Sequence, residues 1–166
     1  MNVRDLRDHA AVTIVDRRHC HSRPMTRVDF YSNAEPKLQV ACQLVAKAIQ
    51  QLSRVVVYVP EEDTARSFDR LLWTYHAIGF VPHCMMDHPL AAETPVVIAR
   101  GDVELPHHQV MLNLHIDSPP SFSRFERLIE LVGAADDDRE SARGRYRFYR
   151  DRGYEIRHHD LSGPRA

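Results

Sequence analysis

The stretch RVVVYVP, residues 54–60, constrains the fold more than any other feature of the chain. It is a run of β-branched and aromatic residues with no charge between Arg54 and Pro60. Such a run suits a strand that is buried on both faces, as in a parallel sheet covered by helices. Neighbouring parallel strands need crossover connections, which are usually helical. The stretch therefore predicts an α/β fold.

Strand and helix patterns alternate along the rest of the chain. Strand patterns occupy four further segments: residues 27–31, 95–99, 109–115 and a last, edge strand at 154–158. Helical spacing occupies another four: residues 34–52, 61–75, a segment around 122–132 that Gly133 can end, and 137–152 before Gly153. This alternation predicts a doubly wound, largely parallel sheet flanked by helices, Rossmann-like but without a nucleotide site.

The 166 residues suit one domain with a sizeable core. Residues 1–24 are charged and poorly periodic, so we expect an extension that is either disordered or a start-site artefact, because Met25 directly precedes the first strand. We expect the domain at residues 25–161 and a flexible tail at 162–166. Three separated cysteines and no apolar run of about 20 residues are typical of a cytoplasmic protein that crosses no membrane.

Between residues 139 and 154 the chain carries six arginines and four aromatic residues. Four of the arginines share one helical face with Tyr146, since their spacing is four, four and three: Arg139, Arg143, Arg147 and Arg150. One interpretation is a solvated surface helix matched to its dipole. The other is an anion site, because arginine binds carboxylates and phosphates in a bidentate manner. The pattern leaves open an acidic peptide and a single-stranded nucleic acid with bases stacked on tyrosine.

Longer motifs resemble the chi subunit family of bacterial DNA polymerase III holoenzyme. They cover residues 25–161 in uninterrupted order and include FYSNAEPKLQVACQLVAKA, RSFDRLLWTY with GFVPHC, PVVIA, VMLNLHIDSPPSFSRFERLIELV and ARGRYRFYRDRGYEIRHHDL. The resemblance implies a non-catalytic accessory subunit of a DNA-directed DNA polymerase that takes part in DNA replication. It implies no cofactor, and it implies two partners, the psi subunit of the clamp loader and the acidic C-terminal tail of single-stranded-DNA-binding protein (SSB).

The resemblance also implies where each partner binds. The SSB tail, which ends in a phenylalanine carboxylate, falls on Arg143, Tyr146 and Arg147, with Arg139 nearby and Val132 under the terminal ring. One departure from the family pattern is Gly144, where relatives often carry glutamate. A glycine there weakens the helix by about 0.5–1 kcal/mol relative to alanine.

The second implied site is the psi-binding surface. It falls on Phe80, with Trp73, Val81 and Pro82 beside it, and it is a surface that relatives can offer to an alternative helicase partner. Aromatic residues beside a proline-containing loop are common interface anchors. The residues alone also allow a core position for each of these aromatics.

Other functions have weaker support in the sequence. No G-x-G-x-x-G or P-loop motif occurs, which argues against a nucleotide-dependent enzyme. Eleven histidines lack the spacing of a known metal site, and Cys42 lies on an apolar helical face, so we expect neither a metal nor a cysteine nucleophile. Direct binding of single-stranded DNA by the arginine–aromatic helix is the main alternative, although a net charge of −1 argues against strong autonomous binding.

Overall fold

The computed structural model describes residues 25–75 and 79–163, and within them lie seven strands and three α-helices. The strands are β1 Arg27–Ser32, β2 Val55–Tyr58, β3 His83–Met85, β4 Val96–Ala99, β5 Val110–Asn113, β6 Arg127–Leu131 and β7 Ile156–Asp160. The helices are α1 Lys37–Gln50, α2 Glu62–Thr74 and α3 Asp136–Asp151. The expected extension at residues 1–24 and the last three residues of the expected tail lie outside the described residues.

The strands form one sheet in the order β3-β4-β2-β5-β6-β1-β7, and every pair is parallel. The apolar run that predicted a buried strand is β2, which has a hydrogen-bonded neighbour on each side. β3 and β7 are the two edges. The predicted α/β, doubly wound fold is therefore confirmed, and the sheet is parallel throughout the described residues.

Two apolar cores cover the two faces of the sheet, because strand side chains alternate between faces. Val55 and Val57 of β2 pack on the face that α1 and α2 cover. Val56, between them, packs on the other face with Ala142 and Tyr149 of α3. One face of the sheet therefore carries α1 and α2, and the opposite face carries α3.

The prediction of a helix around residues 122–132 is wrong. A short 3-10 turn, Phe122–Arg124, is followed by strand β6, which pairs with β1 and β5. Phe122, Phe125 and Leu128 recur every three residues and so imitate helical spacing. The structure instead buries Leu128–Leu131 completely on both faces of the sheet, and Gly133 lies in the connection to α3 rather than at the end of a helix.

The remaining predicted elements agree with the structure within a few residues, apart from β3, which the sequence patterns did not indicate. β3 has only three residues and lies at the edge of the sheet, so it carries little periodic signal. α3 is followed by Gly153, whose φ of 78° lies in the left-handed region that favours glycine. Among the described residues, no helix has the length and apolar character needed to cross a membrane.

Candidate functional site

An open cleft of about 750 Å³ lies between α3 and the strands at the β7 edge of the sheet. The side chains that line it come from four elements and their ends: Phe30 and Ser32 of β1, Val132 after β6, His158 of β7, and Arg139, Ala142, Arg143, Tyr146 and Arg147 of α3. This set includes all five residues that the family resemblance assigned to a tail-binding site. The structure therefore brings them together in one cleft, although they span more than one element.

The arginines of the cleft differ in their partners. Arg139 donates from its guanidinium to Asn33 Oδ1 at 3.1 Å and lies 3.9 Å from Asp136. Arg143 and Arg147 are exposed and have no ion pair or hydrogen-bonded side chain among the described residues. No acidic residue from the described part of the chain lines the cleft. The cleft thus presents two uncompensated guanidinium groups, which is the arrangement that a carboxylate or phosphate ligand requires.

The floor of the cleft is apolar. Val132 is 4% exposed and Ala142 is buried, while Tyr146 is 40% exposed. The Tyr146 ring meets Phe30 edge to face, with 5.5 Å between ring centroids. Aromatic rings favour this geometry, and a further ring can pack against both the tyrosine and the valine. The cleft therefore combines cationic groups at its wall with room for an apolar or aromatic group at its base.

A buried ion pair fixes α3 against the sheet. Arg145 Nε donates to Glu130 Oε2 at 2.9 Å, and both side chains are buried. Glu130 also accepts from Tyr149 Oη at 2.6 Å and from Asn113 Nδ2 at 3.0 Å. Burial raises the pKa of the Glu130 carboxyl, while the charge of Arg145 and these hydrogen bonds oppose the rise. Arg145, although part of the arginine run, is therefore already paired within the protein and does not reach the cleft.

The start of α3 is fixed by Asp138. Its Oδ2 accepts from the Gly133 N–H at 2.8 Å and from Lys37 Nζ at 2.7 Å. A Cβ on Gly133 would lie 3.1 Å from that oxygen, so glycine permits the close approach. With Asp136 and Asp137, Asp138 also places negative charge in the first turn, where the helix dipole favours it. These contacts tie α3 to α1 and to the end of β6.

A second cleft, of about 530 Å³, lies at the opposite edge of the sheet beside β3. Trp73 and Phe80 are 59% and 62% exposed, and their ring centroids are 5.2 Å apart. Pro82 and Leu90 line the same cleft. The sequence analysis did not predict Leu90 as a surface contact, and only its position beside Pro89 could have indicated a loop there. The two aromatic residues are therefore surface groups, not core residues.

Val81 is a correction to the second predicted site. It is 5% exposed and packs in the core with α1 and α2, so it does not line the cleft. Its neighbours in the sequence differ from it, because Phe80 is exposed and Pro82 is half-buried. Beneath the aromatic pair lies buried His83, whose ring centroid is 5.0 Å from that of Trp73 and whose Nδ1 is 2.6 Å from the Val81 carbonyl oxygen. Val81 therefore supports the loop rather than forming its surface.

The described part of the chain gives little evidence for a metal site, a cysteine nucleophile or a nucleotide site. No group of three or more histidine, cysteine or acidic side chains there is placed to hold a metal ion. Cys42 is fully buried, and burial raises the pKa of its thiol to about 12, which suits a core residue rather than a nucleophile. The connection after β1 begins with Asn33, whose side chain bonds Asp160, and it has none of the glycines of a phosphate-binding turn.

Comparison with known proteins shows which protein family this chain is similar to. The model of the family described as "DNA polymerase III chi subunit, HolC" matches residues 25–157. The DNA polymerase III subunit chi of Pseudomonas aeruginosa is 36% identical over 141 residues, which cover 82% of this chain and 98% of that protein. The subunit of the same name from Escherichia coli K12 is 26% identical over 132 residues, covering 79% of this chain and 88% of that protein.

Two solved structures with a similar fold are those of a DEAD-box protein. The C-terminal domain of the DEAD-box protein Dbp5 superposes with a TM-score of 0.56 at 12% identity, covering 84% of this chain and 92% of that domain. S. cerevisiae Dbp5 bound to RNA and ADP BeF3 gives a TM-score of 0.58, also at 12% identity, over 83% of this chain and 42% of that one. At this identity the likeness concerns the fold alone, a RecA-like parallel α/β sheet.

Proposed function

The chain belongs to the DNA polymerase III chi subunit family, whose members are accessory subunits in bacterial DNA replication, and we propose that it is a non-catalytic adaptor between the psi subunit and the SSB tail. The observation that supports this most is the cleft beside α3, with free Arg143 and Arg147 above an apolar floor. The proposed domain comprises residues 25–161.

The chemistry of the α3 cleft fits an acidic peptide that ends in an aromatic residue. A guanidinium of Arg143 or Arg147 takes the terminal carboxylate, in charge-assisted bonds worth about 1.5–3 kcal/mol each. The terminal ring packs between Tyr146 and Val132. Arg139, which Asn33 holds at one end of the cleft, attracts the aspartates that precede the ring. The α3 arginines from 139 to 147 span about 12 Å, the length of roughly four extended residues.

Fluorescence anisotropy with a labelled SSB C-terminal peptide tests this site. We expect micromolar affinity, near −8 kcal/mol, for the wild-type chain. Arg143→Ala and removal of the terminal phenylalanine should each weaken binding by roughly tenfold or more. The substitution removes a guanidinium that binds the terminal carboxylate, and the shortened peptide lacks the ring that packs in the cleft. Arg150→Ala is the matched control, since Arg150 is exposed on the same helix, bonds Asp151 and does not line the cleft.

The results separate the proposal from its competitors. Equal binding of the peptide without its phenylalanine, or equal losses for Arg143→Ala and Arg150→Ala, would show general attraction of charge rather than a built site. Direct contact with single-stranded DNA is the second candidate, supported by exposed Tyr146 beside the two free arginines. It predicts an affinity for DNA that falls steeply with salt, with no affinity for the peptide.

The second cleft is the proposed psi-binding surface, with Phe80, Trp73 and Pro82 as contacts. A helicase is the proposed alternative partner for the same surface. Exposed paired aromatics are frequent interface hot spots. Phe80→Ala should lose psi in co-purification and leave tail-peptide affinity unchanged. Ile116→Ala controls for removal of an exposed apolar side chain elsewhere, because Ile116 lies outside both clefts. Retention of psi at the wild-type level by Phe80→Ala would disprove the assignment.

A further inference from the structure

His158 lies in the α3 cleft, although neither its sequence context nor the arginine pattern pointed to it. It is in register with Phe30 on the neighbouring parallel strand. Residues in register on parallel strands direct their side chains to the same face, and Phe30 packs in the core that α3 covers. His158 is therefore on the α3 side of the sheet, across the cleft from the arginines.

The adjacent histidine has a different environment. His159 is in register with Tyr31, stacks on its ring at 4.4 Å between centroids, and has Nε2 3.2 Å from Asp29 Oδ1. His158 is exposed and makes no hydrogen bond or ring contact in residues 25–75 and 79–163. Its imidazole is consequently available to a ligand, while that of His159 is engaged on the opposite face of the sheet.

The charges around His158 are almost all positive. Arg139, Arg143 and Arg147 face the cleft from α3, and β1 and β6 contribute only uncharged lining residues. On β7 itself, Asp160 interacts electrostatically with His158. Hydrogen bonds from the Ser162 backbone and side chain, and then from Asn33, lower the pKa of Asp160 to about 2, so this carboxylate is ionised throughout the range in which histidines titrate.

We propose that His158 contacts a carboxylate of the peptide bound in the cleft and makes peptide affinity dependent on pH. This inference rests on the tail-binding function proposed above. Histidine is the side chain whose charge ordinarily changes between pH 5 and 8. A ligand carboxylate beside the imidazole favours its protonated form, and by reciprocity protonation favours the ligand. The peptide should therefore bind more tightly as the pH falls towards 5.5, while its own carboxylates remain ionised.

The test measures peptide anisotropy with the full chain from about pH 8 to about pH 5.5 at low ionic strength, where surface charges are least screened. For wild type we expect affinity to rise about two- to fivefold over this range, the effect of one exposed charge pair. His158→Gln should lose the rise, so that its affinity for the peptide stays nearly constant between about pH 8 and about pH 5.5. His159→Gln, whose amide can still donate to Asp29, is the matched control and should retain it.

Two further peptides identify the carboxylate that His158 contacts. One has an amidated C-terminus, and the other has asparagine in place of its aspartates. The pH dependence should disappear with one of them, and a dependence that persists undiminished with both contradicts contact with a carboxylate. If wild type and His158→Gln bind the peptide with equal pH dependence, the role of His158 is wrong and the tail site stands. If neither binds at any pH, the proposed function itself fails.

Discussion

Gly144 lies on the exposed side of α3, and a Cβ added there meets no atom within 4 Å. The native residue therefore lowers helix stability without a steric reason. Gly144→Ala should raise the free energy of unfolding by about 0.5–1 kcal/mol. Urea denaturation followed by circular dichroism measures this, and tail-peptide affinity should not change because Gly144 does not line the cleft. A destabilised Gly144→Ala variant would contradict the open environment of this position.

His107 is a residue whose burial makes stability depend on pH. It is 7% exposed, and neither ring nitrogen has a hydrogen-bond partner among the described residues. Burial, and then the charges of Arg54 and His108, lower the pKa of His107 to about 4 from an ordinary value of 6.5. Between these two values the unfolded chain binds a proton that the folded chain does not. Stability should therefore fall as pH falls from 6.5 to 4.

His107→Leu tests this directly, since leucine takes up no proton. The wild-type chain should lose up to about 3 kcal/mol more than the variant between pH 6.5 and 4, because each pH unit between the two pKa values of His107 costs about 1.4 kcal/mol. Stability at pH 8 is the internal control, because there His107 is neutral in both states and the variant reports packing alone. Parallel pH profiles for the two proteins would show that His107 is protonated in the folded state.

At the scale of the element, neighbouring arginines of α3 have different roles, one in a buried ion pair and one in the lining of the cleft. Arg145 is buried on Glu130, while Arg143, two residues earlier, is exposed in the cleft. Arg145→Met should lower the free energy of unfolding by about 3–5 kcal/mol, because it leaves a buried carboxylate without its partner. Arg143→Met should change it by no more than about 0.5 kcal/mol. Chemical denaturation of both variants makes the comparison, and similar losses would contradict the buried pair.

α3 and β6 also show what the sequence could and could not predict. The bounds of α3 followed from its periodicity and from Gly153, and the cleft residues from the family resemblance. β6 was misassigned because Phe122, Phe125 and Leu128 imitate helical spacing. The acidic residue of this strand, Glu130, is buried against Arg145, Tyr149 and Asn113. Those partners lie 15 to 19 residues away in the sequence. Pairing of that kind depends on tertiary packing, which local spacing does not contain.

At the scale of the whole molecule, the two clefts lie at opposite edges of one sheet. The α3 cleft includes β7, and the aromatic cleft includes β3, with five strands between them. Six strand spacings of about 4.8 Å place the edges roughly 29 Å apart. None of the residues that the structure describes lines both clefts. Two ligands can therefore occupy the chain together, and a chain that holds both raises the effective concentration of one near the other.

The proposed adaptor function requires that the chain bind both partners at the same time. To test this, a labelled SSB tail peptide is titrated with the chain alone and with the purified complex of the chain and psi. The two dissociation constants should agree within about twofold, because sites this far apart without shared residues should be independent. The limiting anisotropy should be higher for the larger complex. Displacement of the peptide by psi, or a loss of affinity of tenfold or more in the complex, would contradict an adaptor that bridges the two partners.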